Sequence, residues 1–447
     1  MQPTNPSKPQ APHGPSGMAK WFRRIHLWLS VPFGVIITLV CFSGAMLVYE
    51  QEITQCLCPQ LYYVEEVGPK PLPLDSLMTR VQATLPDTVQ ATGITVQPDP
   101  KRTWQVSLSA PRRASVYVDP YTGQVTGRNE RLPFFDTMFH LHRWLLGPSQ
   151  SASGGLPAGK LLVGTGTLVL VIVLLTGILM WLSNRRKPLR KSLTISVTKG
   201  WHRFWHDLHV AGGIYATVFL LAIALTGLTW SFGWYRTGFY ALFGVEQQAE
   251  GGPGGHGAHG HRASAHGGAH HGGRGDAQHG SRGGQGRHGR RPDGAEQGQP
   301  LRQQVDSLQE QTLRDSLATV SAGGEACPYA HWQQVFEQLA QAHAGYRQIT
   351  LSDGTAGVIP EGRRSLRAAD TYDFDPLTGS ITGQHPYAES DKGTRVRSAV
   401  YMVHTGSWLG GLTRLVNFLA ALLGATLPLT GYYLWIRRLL KRRLRQA

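Results

Sequence analysis

His140-Leu141-His142-Arg143-Trp144 stands directly before a long apolar run, and a similar phrase, His404-Thr405-Gly406-Ser407-Trp408, stands before the last apolar run of the chain. Two further histidines, His26 and His209, mark the starts of the other two apolar runs. If the chain alternates in direction across a membrane, His26 and His209 fall together at one depth and His142 and His404 at the other. Imidazole is the commonest neutral metal ligand, and two such pairs in an apolar bundle suit two stacked metal-bearing macrocycles.

The four apolar runs are Val31–Tyr49, Leu161–Leu182, Ala211–Phe232 and Leu415–Ile436, and none contains Lys, Arg, Asp or Glu. Each is long enough to cross a hydrocarbon core, which takes about 20 helical residues. The mean hydropathy of −0.20 conceals this segregation. The first run follows a basic flank, as a secretory leader would. It is longer than a typical leader core and no small-x-small site closes it, so it is read as a membrane helix.

The formal charge of +16 and a pI near 9.9 would ordinarily suggest nucleic acid. The distribution excludes it. Residues 1–24, 183–205 and 437–447 carry four, seven and six Lys/Arg and no acid, leaving 27 of the 44 basic residues against 28 acidic ones elsewhere. Basic flanks of this kind mark cytoplasmic segments. Both termini and the 183–205 loop are therefore expected in the cytoplasm, with the long connections facing outward.

The expected organisation follows: a disordered basic lead over 1–24, a transmembrane helix over 25–49, and an outward α+β domain over 50–139. Then come the histidine phrase with a second membrane helix over 140–182, the basic loop over 183–205 and a third helix over 206–232. A second outward α+β domain occupies 233–403, the second phrase with a fourth helix 404–436, and a basic tail 437–447. Within the outward parts, Pro73–Leu85, Gln303–Val320 and His331–Ala342 suggest helices, and Thr103–Ser109 alternates as a strand does. Val116–Gly127 and Thr371–Gly383 each frame an Asp-Pro-x-Thr-Gly turn and read as β-hairpins. The recurrence of helix, module, histidine phrase and helix reads as an internal duplication. Each membrane run also carries a Ser/Thr-Gly step, at Ser43-Gly44, Thr176-Gly177, Thr226-Gly227 and Thr430-Gly431. Small residues let membrane helices approach closely, and packing is the reading given to these pairs.

His26, His142, His209 and His404 are the candidate axial ligands of heme iron, with His140 and His206 as alternates beside two of them. Arg143 is placed to pair with a heme propionate. His202 is assigned to the surface. Residues 250–300 are dominated by Gly, His and Arg, with eight histidines between His256 and His288. His256, His259, His261, His266, His270 and His271 are candidates for weak, multivalent metal capture, against a flexible insertion with no such role. Cys41 lies in a membrane run. Cys56, Cys58 and Cys327 lie in outward segments, where a disulfide is possible but its pairing is open.

With the repeated Asp-Pro-x-Thr-Gly hairpins and the His-Arg-Trp and His-Thr-Gly phrases, the chain resembles the PepSY-associated transmembrane helix family, and within it the siderophore-linked iron reductases of bacterial inner membranes. The likeness covers about 20–247 and 300–440. It implies an integral membrane protein with an all-α four-helix transmembrane core and two periplasmic α+β PepSY-like domains, with heme b, two expected, held by transmembrane histidines. It also implies that ferric iron carried by a siderophore or other metal chelate is reduced at the periplasmic side. The His-rich insertion departs from the pattern and leaves the substrate metal open.

No G-x-G-x-x-G follows a strand and no P-loop occurs, so electrons are expected from a quinol or a partner reductase. Two other functions compete. The outward domains could be binding or regulatory modules on a membrane anchor, or the chain could handle copper or zinc through its His-rich segment and Cys56/Cys58. The sequence leaves open the chelate, the donor, the choice within His140/His142 and His206/His209, and the oligomeric state.

Overall fold

The computed structural model describes residues 17–111, 113–151, 155–183, 193–245, 328–363 and 365–446. The expected helix over Gln303–Val320, the His-rich segment and Cys327 lie outside these residues. Four helices among those described are long and apolar enough to cross a membrane: Lys20–Leu47, Ala158–Ser183, Trp201–Ser231 and Gly411–Arg443.

The bundle is built from α1 (Gly17–Leu47), α6 (Ala158–Ser183), α8 (Gly213–Ser231) and α12 (Gly411–Arg443). α8 is entered through α7 (Trp201–Asp207) and a π-helical turn, Leu208–Gly212. The four form a ring in which α1 and α8 each pack on α6 and α12. Close approach is bought by glycine at one conspicuous point: a Cβ on Gly34 would lie 2.5 Å from the Tyr432 hydroxyl, which donates to the Val31 carbonyl at 2.6 Å. The apolar seams hold Ile37, Cys41, Val169 and Ala425 on one side and Leu174, Ala216 and Leu220 on the other.

The histidine phrases do not run on into membrane helices. His142 lies in the last turn of α5 (Pro133–Trp144), and His404 in that of α11 (Lys392–Thr405). α5 is stopped by Leu145 and Leu146 at φ 48° and 63°, and α11 by Gly406 at φ 75°. A left-handed residue satisfies the final carbonyls and turns the chain aside. The domains expected over 140–182 and 404–436 therefore each divide into a short helix and a separate membrane helix.

From the same end of the bundle the chain builds its sheet. α2 (Glu50–Leu57) and α3 (Pro59–Tyr62) lead to α4 (Leu74–Thr84) and then to the meander β1 (Ala91–Val96), β2 (Trp104–Leu108), β3 (Ser115–Val118) and β4 (Val125–Arg128). After α9 (Gly233–Ala241), the second meander follows α10 (Trp332–Ala342) and comprises β5 (Tyr346–Ser352), β6 (Thr355–Pro360), β7 (Asp370–Phe374) and β8 (Ile381–His385). The two are not separate sheets. β1 pairs antiparallel with β5, Ile94 opposite Leu351 and Thr95 opposite Thr350, giving one eight-stranded sheet in the order β4-β3-β2-β1-β5-β6-β7-β8.

Gly93 stands at this joint because a Cβ there would meet the Leu351 carbonyl at 2.8 Å. Leu77, Met78 and Val81 of α4 and Trp332, Val335 and Leu339 of α10 enter one common core against Ile94, Val106, Ile349 and Leu351. The Asp-Pro-x-Thr-Gly turns repeat atom for atom in part. The Asp119 and Asp375 carboxylates accept from the backbone N–H two residues on, at 2.8 and 3.0 Å. Gly123 and Gly379 close the turns at φ 75° and 65°, where a side chain would be strained.

Candidate functional site

The four histidines meet in two pairs. His26 of α1 and His209 of the π turn have ring centroids 6.4 Å apart, and His142 and His404 have theirs 6.3 Å apart. The alternates take no part in these pairs. His140 lies 3.8 Å from Asp136 and against the Trp144 ring, and His206 bonds Asp207 at 3.2 Å. His202 is exposed. Arg143, expected beside a propionate, has its guanidinium over the Trp144 and Phe139 rings at 4.9 and 5.5 Å.

Each imidazole is held the same way, by the neighbouring helix. His26 Nδ1 lies 3.1 Å from the Val173 carbonyl and 3.1 Å from the Thr176 hydroxyl. His209 Nδ1 lies 3.1 Å from the Leu427 carbonyl and 2.9 Å from Thr430 Oγ1. His142 Nδ1 meets the Val40 carbonyl at 2.9 Å and Ser43 Oγ at 3.5 Å. His404 Nδ1 meets the Ile223 carbonyl at 2.9 Å and Thr226 Oγ1 at 3.3 Å.

A carbonyl only accepts, so Nδ1 must carry the proton. The hydroxyls agree. Ser43, Thr176, Thr226 and Thr430 all donate to carbonyls of their own helices and so face the imidazoles as acceptors. All four rings are thereby fixed as the Nδ1–H tautomer with the Nε2 lone pair free, the form that ligates a metal.

The glycine of each Ser/Thr-Gly step completes the cradle. A Cβ on Gly44, Gly227, Gly431 or Gly177 would lie 2.8, 3.0, 3.4 or 3.7 Å from the Cε1 of His142, His404, His209 or His26 respectively. These eight residues are the part of the site that sequence reasoning missed. Read from sequence alone these steps serve helix packing; in the structure they orient the histidines. The signal was available: four membrane helices carry the same dipeptide, and there are four candidate histidines to receive it.

The residues fit a bis-imidazole metal group. With N–metal bonds of about 2.0–2.1 Å and about 1.1 Å from nitrogen to ring centre, two collinear imidazoles have centroids about 6.3 Å apart. The His26/His209 pair also opens on a cavity of about 1190 Å³ between α1, α6, α8 and α12, lined by Leu170, Leu174, Ile214 and Trp181. Arg23 and Arg438 line it too and could meet carboxylates of an amphipathic group, while Arg203 at its wall is paired with Asp207 at 2.8 Å. Among the described residues no cluster of three or more His, Cys, Asp or Glu forms a metal site. Cys56 and Cys58 are unbonded to one another, and Cys41 is buried in the bundle.

A family model described as the PepSY-associated TM region matches residues 23–438. The chain belongs to this family. As a PepSY-associated membrane protein it carries the four membrane helices and the antiparallel sheet within the matched span. A search of curated proteins finds no match to this PepSY-associated chain.

Proposed function

We propose that the protein is a di-heme electron-transfer protein of the bacterial inner membrane that reduces ferric iron, carried by a siderophore or another chelate, on the periplasmic side. The observation that carries this reading is the fourfold cradle, which leaves two facing pairs of imidazoles with their Nε2 atoms free at opposite ends of one bundle. From His26 to Ser43, which holds His142, α1 rises about 25 Å at 1.5 Å per residue, and the stretch from His209 to Thr226 is equally long. Two sites therefore serve the two faces of a hydrocarbon core of about 30 Å, where one would serve half of it.

Bound heme b would supply reversible one-electron iron chemistry at each pair. The chain's own residues do the rest. His26 and His209 hold the cytoplasmic-side group and His142 and His404 the periplasmic-side one. The Ser/Thr-Gly steps fix ring orientation and tautomer, and the apolar helix faces exclude water. The basic flanks support a cytoplasmic position for the termini and the 183–205 loop. The sheet then faces the periplasm, where it would meet the chelate, and the symmetric strand order supports descent by duplication.

The test is chelate reduction by the purified full chain with a reduced quinol analogue as donor. Ferric hydroxamate should be reduced by the native protein and not by His404→Ala. Equal rates for both would remove the outer pair from the reaction and leave the sheet as a binding module on a membrane anchor. Deleting 250–300 should leave reduction intact, whereas loss of metal capture alone would assign the His-rich segment to metal handling.

A further inference from the structure

We propose that Arg143, Lys160 and Arg236 form a binding site for one phosphate group at the end of the bundle that holds the His142/His404 pair. The two halves of the bundle differ in how this end is charged. Lys160 and Arg414 stand at the same distance before the Thr-Gly steps of α6 and α12. Arg414 is fully engaged: its guanidinium bonds both Glu52 carboxylate oxygens and the Val48 carbonyl and lies 5.1 Å from the Tyr49 ring. Nine residues after Ser43 the first half offers Glu52 of α2; nine after Thr226 the second offers Tyr235 of α9, an uncharged side chain, with the cation Arg236 next to it.

Lys160 therefore faces cations. Gly159 sits against the Trp144 backbone, where a Cβ would lie 1.8 Å from the carbonyl oxygen, which sets Lys160 beside Arg143. One turn on, Gly164 packs on the Phe232 ring, and Arg236 is bonded through its N–H to the Phe232 carbonyl. The charged groups acting on Lys160 are Arg143 and Arg236, both of its own sign, and Arg113 acts on Arg143. Arg236 Nε is buried and has no hydrogen-bond partner among the described residues. The nearest acid along α5, Asp136, is turned to His140.

Like charges that act on one another at a helix end, one with a buried unmet donor, are a setting that a bound anion would stabilise. Lys160 lies in the first turn of a membrane helix, at headgroup level, and phosphate offers enough acceptors for all three side chains. The phosphate comes from a bound phospholipid or from the aqueous phase.

Thermal unfolding and native mass spectrometry of the detergent-purified full chain test this. If the phosphate is free, replacing chloride by inorganic phosphate at constant ionic strength should raise the unfolding midpoint by about 2–4 °C. If it is a lipid's, native mass spectrometry should show one retained phospholipid and phosphate should add nothing. In Lys160→Met and Arg236→Gln the phosphate shift or the retained lipid should be lost. Arg236→Glu, which sets an acid beside Lys160 in place of a cation, should raise the midpoint without phosphate and remove the response to it. Neither a shift nor a retained lipid in the native chain, or either one unchanged in the variants, would overturn the proposal.

Discussion

At the residue scale the cradle makes graded predictions. Glycine-to-alanine changes should harm cofactor retention in the order of the space each leaves. Gly44→Ala and Gly227→Ala, with a Cβ 2.8 and 3.0 Å from an imidazole carbon, should displace the group at the His142/His404 pair. Gly177→Ala, at 3.7 Å, should be tolerated at the His26/His209 pair. Heme content of the purified variants checks this, and an equal loss in all would deny the cradle its role. Thr430→Val removes one of two acceptors from His209 and leaves the Leu427 carbonyl, so heme affinity at that pair should fall by about 10–100-fold. The histidines themselves were legible because they recur in phrases at apolar boundaries. Their acceptors were not, because Ser/Thr-Gly in a membrane helix has an adequate explanation in packing, and no sequence feature says which helix lies opposite which histidine.

At the element scale, α2 and α12 are tied by Glu52 and Arg414. The guanidinium beside Glu52 holds its carboxyl below the usual range, so the pair stabilises the fold above the ordinary value of 4.5 and ceases to as pH falls through the lowered one. The pair is about half-exposed and worth no more than about 1 kcal/mol. Glu52→Gln should therefore lower the unfolding midpoint slightly at neutral pH, and the difference from the native chain should close on acidification. A difference that grew on acidification would reverse the sign of the argument. Helix ends show how unevenly structure is written in sequence. Gly406 announces the stop after His404, but the stop after His142 falls on Leu145 and Leu146, residues that seldom take a positive φ. The histidine phrase and the following membrane helix consequently looked continuous.

At the scale of the whole molecule, the two four-stranded meanders are one body. Their hairpins could be read locally, since Asp-Pro-x-Thr-Gly fixes each turn through its own carboxylate and glycine. The β1–β5 seam could not, because it joins strands separated by α5 through α10 and leaves no local mark beyond Gly93. Leu351, fully buried at the seam in the shared core, should cost about 2–5 kcal/mol when replaced by Ala, and both meanders should lose protection together in hydrogen exchange. Independent loss of one meander would show two domains in contact rather than one.

Electron transfer across the bundle requires each of the two histidine pairs to hold a heme. The most direct measurement is the reduced-minus-oxidised absorption spectrum of the purified full chain from heme-replete cells, with heme counted per polypeptide. Low-spin bis-histidine heme at two per chain, falling to one in His142→Ala and in His26→Ala, is the predicted result. A colourless protein, or a heme count unchanged by both substitutions, would contradict it.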